Sequence, residues 1–170
     1  YTHNVDVDAV NNFELEKIDK PEHIYEMTSK GKKVLVDILK KGCLAPETLV
    51  IKEGAVVMFL KNNPAKGYVN GTLGKVIGFD TNHGYPIIET YSGREIVASP
   101  TSWRFEENYS ILAEISQVPL KLAWAITVHK SQGMSLDAAE IDLSKSFAYG
   151  MGYVALSRVR SLDGIRLLGI

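Results

Sequence analysis

The sequence predicts an α/β domain split by a small inserted β-barrel, and three observations predict it. Between residues 50 and 116, five short runs rich in β-branched and aromatic residues are separated by turn residues, with no helical pattern between them. Residues 138–170 read strand, helix, strand with short links, the pattern of a parallel sheet. A helical segment opens the chain, so α/β character lies on both sides of the β-rich stretch. The expected division is an α/β domain over residues 1–49 and 117–170, and a barrel over 50–116.

Each element has its reason. Residues 1–4 read as a strand end or loop. Residues 5–18 read as a helix, with Asn4 or Asp6 able to cap it and Val7, Val10 and the pair Glu14-Leu15 near helical spacing. Asp19-Lys20-Pro21 breaks it. Residues 21–41 are polar and mixed. Within them KVLVDILK (33–40) fits a strand or a helix. LVIK (49–52) is an expected strand. The barrel strands are AVVMFLK (55–61), LGKVIGF (73–79), PIIET (86–90), EIVAS (95–99) and YSILAEI (109–115). The turns between them are Asn62-Asn63-Pro64, Asn70-Gly71, Asn82-His83-Gly84 and Ser92-Gly93.

Residues 121–132 read as a helix closed by Gly133 in a left-handed position. That helix would place Leu122, Ala125, Ile126 and His129 on one side, and Thr127, Lys130 and Ser131 on another. The short apolar run AWAITV also fits a strand. AAEIDL (138–143) is expected as a buried strand, residues 150–159 as a helix and GIRLLGI (164–170) as a strand.

Composition sets outer bounds. The chain has 170 residues, 45% of them hydrophobic, enough for one compact core. Net charge is −1, a balance that does not by itself suggest nucleic acid. The charge is uneven. Residues 117–170 carry six Lys/Arg against four Asp/Glu, whereas residues 1–53 carry eight against ten and residues 54–116 five against six. Cys43 is the only cysteine, so no intramolecular disulfide forms, which fits a reducing compartment. The four histidines lack metal-ligand spacing, and no metal site is expected. No apolar run is long enough to span a membrane. The chain opens at Tyr1 without a methionine or signal peptide, and reads as part of something longer or as trimmed.

Two stretches do not read as plain core. In TVHKSQG (127–133) a hydroxyl, an imidazole, an ammonium, a second hydroxyl and an amide precede a glycine. Phosphate oxygens need such donors, and a glycine lets backbone approach a ligand. A polar helix end, its cations complementing the dipole, explains the same residues. In ALSRV (155–159), Arg158 sits on an apolar segment, where burying it unpaired is costly. Its fork suits a phosphate. Snorkelling, or pairing with Asp137, Asp142 or Asp163, is the alternative. Arg160 points elsewhere on the helix and reads as structural or surface.

The barrel offers Tyr68, Phe79, Tyr85, Tyr91, Trp103, Phe105 and Tyr109, with Lys61, Lys66, Lys75, Arg94 and Arg104. Such a set can bind single-stranded nucleic acid, although most of the aromatics are expected as core. Cys43 reads as a packed residue. No G-x-x-x-x-G-K-[ST] occurs, and GTLGKV (71–76) has the wrong spacing, so the chain lacks its own phosphate-cradling loop.

PLKLAWAITVHKSQGMSLD (119–137) and YVALSRVRSLDGIRLL (153–168) closely resemble the fifth and sixth motifs of superfamily 1 DNA helicases of the Pif/RecD-like group. GAVVMFLKNN (54–63) and YVNGTLGKVIGF (68–79) resemble the segment leading into that group's inserted barrel. THNVDVDAVN (2–11) resembles the fourth-motif region more weakly. The resemblance implies a RecA-like second motor domain interrupted by a small SH3-like barrel. It implies a 5′-to-3′ DNA helicase, cytoplasmic, or nuclear or mitochondrial in a eukaryote.

Under that implication Arg158 is catalytic and reaches the γ-phosphate of ATP. Gln132 and Gly133 join it at the nucleotide. Thr127, His129, Lys130 and Ser131 line the backbone of single-stranded DNA. ATP with Mg2+ would be held mainly by the N-terminal motor domain of the same protein, which this sequence does not contain. Two other classes stand beside this reading: a single-strand-binding module without a motor, and a protein-interaction barrel.

Overall fold

The computed structural model describes residues 4–127, 136, 139–142, 150–159 and 161–169. It is a mixed α/β fold with several sheets, divided into two compact units. One comprises Ile18–Leu122, the other Tyr1–Lys17 with Ala123–Ile170.

The unit Ile18–Leu122 is mostly antiparallel sheet. β1 (His23–Glu26) pairs with β3 (Thr48–Ile51). A five-stranded sheet runs in the order β10 (Leu120–Leu122), β4 (Val56–Phe59), β5 (Leu73–Phe79), β6 (Pro86–Thr90), β7 (Glu95–Val97). A three-stranded sheet runs β2 (Thr28–Gly31), β9 (Ser110–Gln117), β8 (Thr101–Glu107). The expected closed barrel over 50–116 is not found among the described residues. β8 and β9 pair with β2, from outside that range, and β10 takes the edge beside β4. For the same reason the compact unit is larger than the expected insertion, and residues 18–49 belong to it.

Alternation drives these strands. In β9, Ala113, Ile115 and Gln117 are buried while the residues between them are half-exposed. The core gathers Leu49, Ile51, Val57, Met58, Phe59, Val76, Ile88, Ile115, Val118 and Leu120. Gln117 lies among them and is fully hydrogen-bonded. Its Nε2 donates to the carbonyls of Tyr25 (2.9 Å), Pro46 (3.0 Å) and Glu47 (3.1 Å), and its Oε1 accepts from Val118 N–H (2.8 Å). Residues 33–40, open between strand and helix, lie in α2 (Lys33–Gly42), whose Lys40 and Lys41 occupy the last turn and complement the dipole. Gly31, at φ +110°, leads into it. A Cβ there would stand 2.3 Å from the Leu112 carbonyl oxygen, so only glycine fits.

In the other unit, α1 (Asn4–Glu16) matches the expected first helix. β11 (Ala139–Asp142) and β12 (Ile165–Gly169) pair in parallel, with α3 (Met151–Leu156) between them in sequence. Ile141 and Ala155 centre a small core with Ala139, Val154, Leu156, Val159 and Ile165. The strand–helix–strand expectation is therefore met. The helix expected over 121–132 is not: residues 120–122 form β10, residues 123–127 are neither helix nor strand, and residues 128–132 lie outside the described residues.

Candidate functional site

Leu136, three residues beyond TVHKSQG in the sequence, meets ALSRV through backbone. The Leu136 N–H donates to the Arg158 carbonyl at 2.8 Å, and Leu136 bridges Val159 in parallel. Leu136 is buried. Leu136 is thus tied to the turn that follows α3. That helix is positioned by Val154, Ala155 and Leu156, which pack with β11 and β12.

Arg158 stands at the start of the turn, half-buried. Its Nε donates to the Val154 carbonyl at 3.1 Å, satisfying one of the acceptors left free at a helix end. Its Nη2 donates to Ser157 Oγ at 3.2 Å. Among the described residues no carboxylate pairs with it, so pairing with Asp163 does not explain its place. A guanidinium anchored at Nε to a helix end keeps the planar fork that suits an anion.

Thr127 is 3% exposed. The segment before it is held by Asn11 on α1, whose carboxamide meets both the N–H and the C=O of Ala125. Sequence reading missed this residue. His129, Lys130, Ser131, Gln132 and Gly133 lie outside the described residues, as does Arg160.

In the unit Ile18–Leu122, Lys61 Nζ stands 5.0 Å from the Trp103 ring centroid and donates to the Ser102 carbonyl. Burial, with the neighbouring Arg104 charge, pushes the Lys61 pKa down. Arg104 Nε donates to Glu114 Oε2 at 2.6 Å and Ser102 Oγ to Glu114 Oε1 at 2.9 Å. The bonds from Arg104 and then Ser102 hold the Glu114 carboxyl below its usual range. Lys66 Nζ donates to Ser99 Oγ at 2.7 Å. Of the aromatics expected mostly as core, Tyr68 is buried and stacks on Phe59, with centroids 4.1 Å apart. Phe79 stacks on His23 at 3.4 Å. Tyr91, in the β6–β7 turn, and Phe105 and Tyr109, on the β8–β9 hairpin, are exposed instead. Cys43 is buried, and burial pushes its thiol up. Among the described residues no group of His, Cys, Asp or Glu is placed to hold a metal ion, and no helix is long and apolar enough to cross a membrane.

The sequence profile of the "DNA helicase Pif1, 2B domain" matches residues 35–79. An ATP-dependent DNA helicase Pif1 from Psychrobacter is 40% identical over 220 aligned residues, covering 100% of this chain. The chain belongs to the Pif1-like helicase family. It spans 33% of the Psychrobacter helicase's length. Among solved Pif1 structures, the Bacteroides protein in complex with ADP-AlF4 is similar at a TM-score of 0.83 and 34% identity, covering 99% of this chain and 39% of that one. Bacteroides Pif1 bound to ssDNA is similar at 0.69 and 34% identity, covering 98% and 39%. The Pif1 likeness therefore runs through both compact units.

Proposed function

We propose that this chain is the C-terminal part of an ATP-dependent 5′-to-3′ DNA helicase. The observation that carries the reading is the Leu136–Arg158 backbone bond, which ties a residue three positions beyond TVHKSQG to the residue best suited to sense a phosphate. Tyr1–Lys17 with Ala123–Ile170 are assigned to the RecA-like second motor domain. Ile18–Leu122 are assigned to its 2B-type insertion, of SH3-like kind, with strands held in separate sheets. The partners are single-stranded DNA and an N-terminal motor domain that supplies the P-loop and the Mg2+ ligands.

In this mechanism Arg158 offers its guanidinium to the γ-phosphate of ATP, where it stabilises the charge that develops in phosphoryl transfer. Gln132 and Gly133 connect that phosphate to the stretch carrying His129, Lys130 and Ser131, which grips the DNA backbone and follows the buried Thr127. With γ-phosphate bound, Arg158 draws the two motor domains together; once the phosphate is lost, they part. A shift at Arg158 is passed to Leu136 through one short backbone bond, so nucleotide state and DNA grip move together. Contacts to phosphate carry no sequence information, so binding is sequence-tolerant and weakens with salt.

The test is single-strand-stimulated ATP hydrolysis by the full natural protein, wild type beside Arg158→Ala. Hydrolysis is expected to fall by about 10³-fold in the variant, with single-strand binding retained. A variant within a few-fold of wild type would remove Arg158 from the phosphate site. A second reading, a single-strand-binding module without a motor, is favoured by Lys61 beside Trp103, which offers a ring to stack on and a cation next to it. Single-strand binding with no hydrolysis by the wild type would establish that reading instead.

A further inference from the structure

Asn11 lies on α1, 114 residues from Ala125, and the two are joined twice. Asn11 Nδ2 donates to the Ala125 carbonyl at 3.0 Å. The Ala125 N–H donates to Asn11 Oδ1 at 3.0 Å. Both residues are buried, at 6% and 4% exposure. A carboxamide has a donor and an acceptor in one plane, so it pairs with a peptide much as a neighbouring strand would. One such bond would leave the peptide free to roll. Two fix both its direction and its roll.

The place of this pairing matters. β10 ends at Leu122, and residues 123–127 belong to no helix or strand that would set their path. Thr127, which leads into the assigned DNA-contacting set, follows Ala125 by two positions. We infer that Asn11 is a positioning residue, setting the register of the segment through which the chain grips single-stranded DNA. The inference rests on the helicase reading above. It adds to that reading a residue from α1 that touches neither DNA nor nucleotide. Chemistry singles out asparagine for this post. Aspartate keeps the acceptor for the Ala125 N–H but sets a carboxylate against the Ala125 carbonyl. Alanine removes both bonds and leaves two buried backbone groups unpaired.

The experiment uses the full natural protein and an oligothymidylate single strand. ATP hydrolysis is measured against strand concentration for wild type, Asn11→Asp, Asn11→Ala and the exposed neighbour Asn12→Ala. The strand concentration giving half-maximal rate is expected to rise about tenfold or more in both Asn11 variants. Rates at saturating strand should stay within about threefold of wild type, and Asn12→Ala should behave as wild type. A merely structural role would lower the saturating rate through loss of folded protein and leave the half-saturating concentration in place. That result would overturn the inference. Should Asn11→Ala fail to fold, Asn11→Asp, which keeps one of the two bonds, carries the test. Where Asn11→Ala folds, hydrogen exchange of its Ala125 amide unchanged from wild type would also overturn the inference. A wild type that neither binds the strand nor is stimulated by it overturns the helicase reading itself, an outcome distinct from a stimulated wild type with an indifferent Asn11.

Discussion

Tyr25 couples a single side chain to solution conditions. Its hydroxyl donates to the Gly84 carbonyl at 2.5 Å, joining β1 to the loop before β6. Burial, with the Asp80 charge adding to it, raises its pKa from 10.0 to about 12. Asp80 stays ionised there. Its own burial works against that, but N–H bonds from His83, Tyr85 and Asn82 outweigh the burial and lower its pKa. The folded state therefore holds the phenolic proton more tightly than the unfolded chain. The stabilisation is complete below pH 10.0 and is lost as pH rises through about 12. In urea unfolding, wild type should exceed Tyr25→Phe by about 1 kcal/mol at neutral pH, the worth of one hydrogen bond. That advantage should shrink above pH 10.0. An advantage independent of pH would mean that Tyr25 keeps an ordinary pKa. Residue-scale features of this kind divide by how local they are. Arg158 stands out in the sequence because a cation on an apolar segment is conspicuous, and its role at a phosphate is the proposal made above. Asn11 and Gln117 do not stand out, because their partners are peptide groups 70 to 114 residues away and any polar residue would look the same in the sequence.

Among the elements, the β8–β9 hairpin has the least comfortable backbone. Its two-residue loop, Asn108-Tyr109, lies between the paired Glu107 and Ser110, with φ of 48° and 63°. Such loops need positive φ at both positions, which suits asparagine and glycine and penalises tyrosine. Tyr109 is 108% exposed, so its ring contributes no packing to offset the penalty. Tyr109→Gly should therefore stabilise the protein by roughly 0.5 kcal/mol, after the entropic cost of glycine is set against the relieved strain. A lower melting temperature for this variant would show that the ring has a partner or that the loop adopts another turn. The same hairpin marks where elements became hard to read. β5 and β6 were legible to the residue, since turn residues flank them and β-branched side chains fill them. β8 was not expected. TSWRFEE pairs with β9 over its whole length while exposing Arg104, Phe105, Glu106 and Glu107, so the composition lacks a buried face. The helix expected over 121–132 fell to tertiary partners that a local pattern does not contain. β10 is held by β4, and Ala125 by Asn11.

At the scale of the whole molecule, the chain leaves one unit at Lys17 and returns to it at Ala123. The unit between has ends that come together. Ile18 accepts a hydrogen bond at its carbonyl from Lys52 Nζ at 3.2 Å, and Leu122 pairs with Val57. Lys52 and Val57 belong to one short stretch around the β3–β4 turn. Adjacent ends are what an insertion requires, because the host chain can close on either side of it without distortion. Ile18–Leu122 also has a filled core. Phe59, Ile88, Ile115 and Leu120 are fully buried, and Gln117 satisfies its carboxamide on Tyr25, Pro46, Glu47 and Val118, all within the unit. The excised polypeptide Ile18–Leu122 should therefore fold alone and unfold in one cooperative transition, read by circular dichroism against temperature and by sharp, dispersed amide resonances. Weak single-strand binding by this piece that is lost in Trp103→Ala would place a base-stacking site on it. An excised piece with a broad, non-cooperative melt would mean that the fold of Ile18–Leu122 depends on residues outside it.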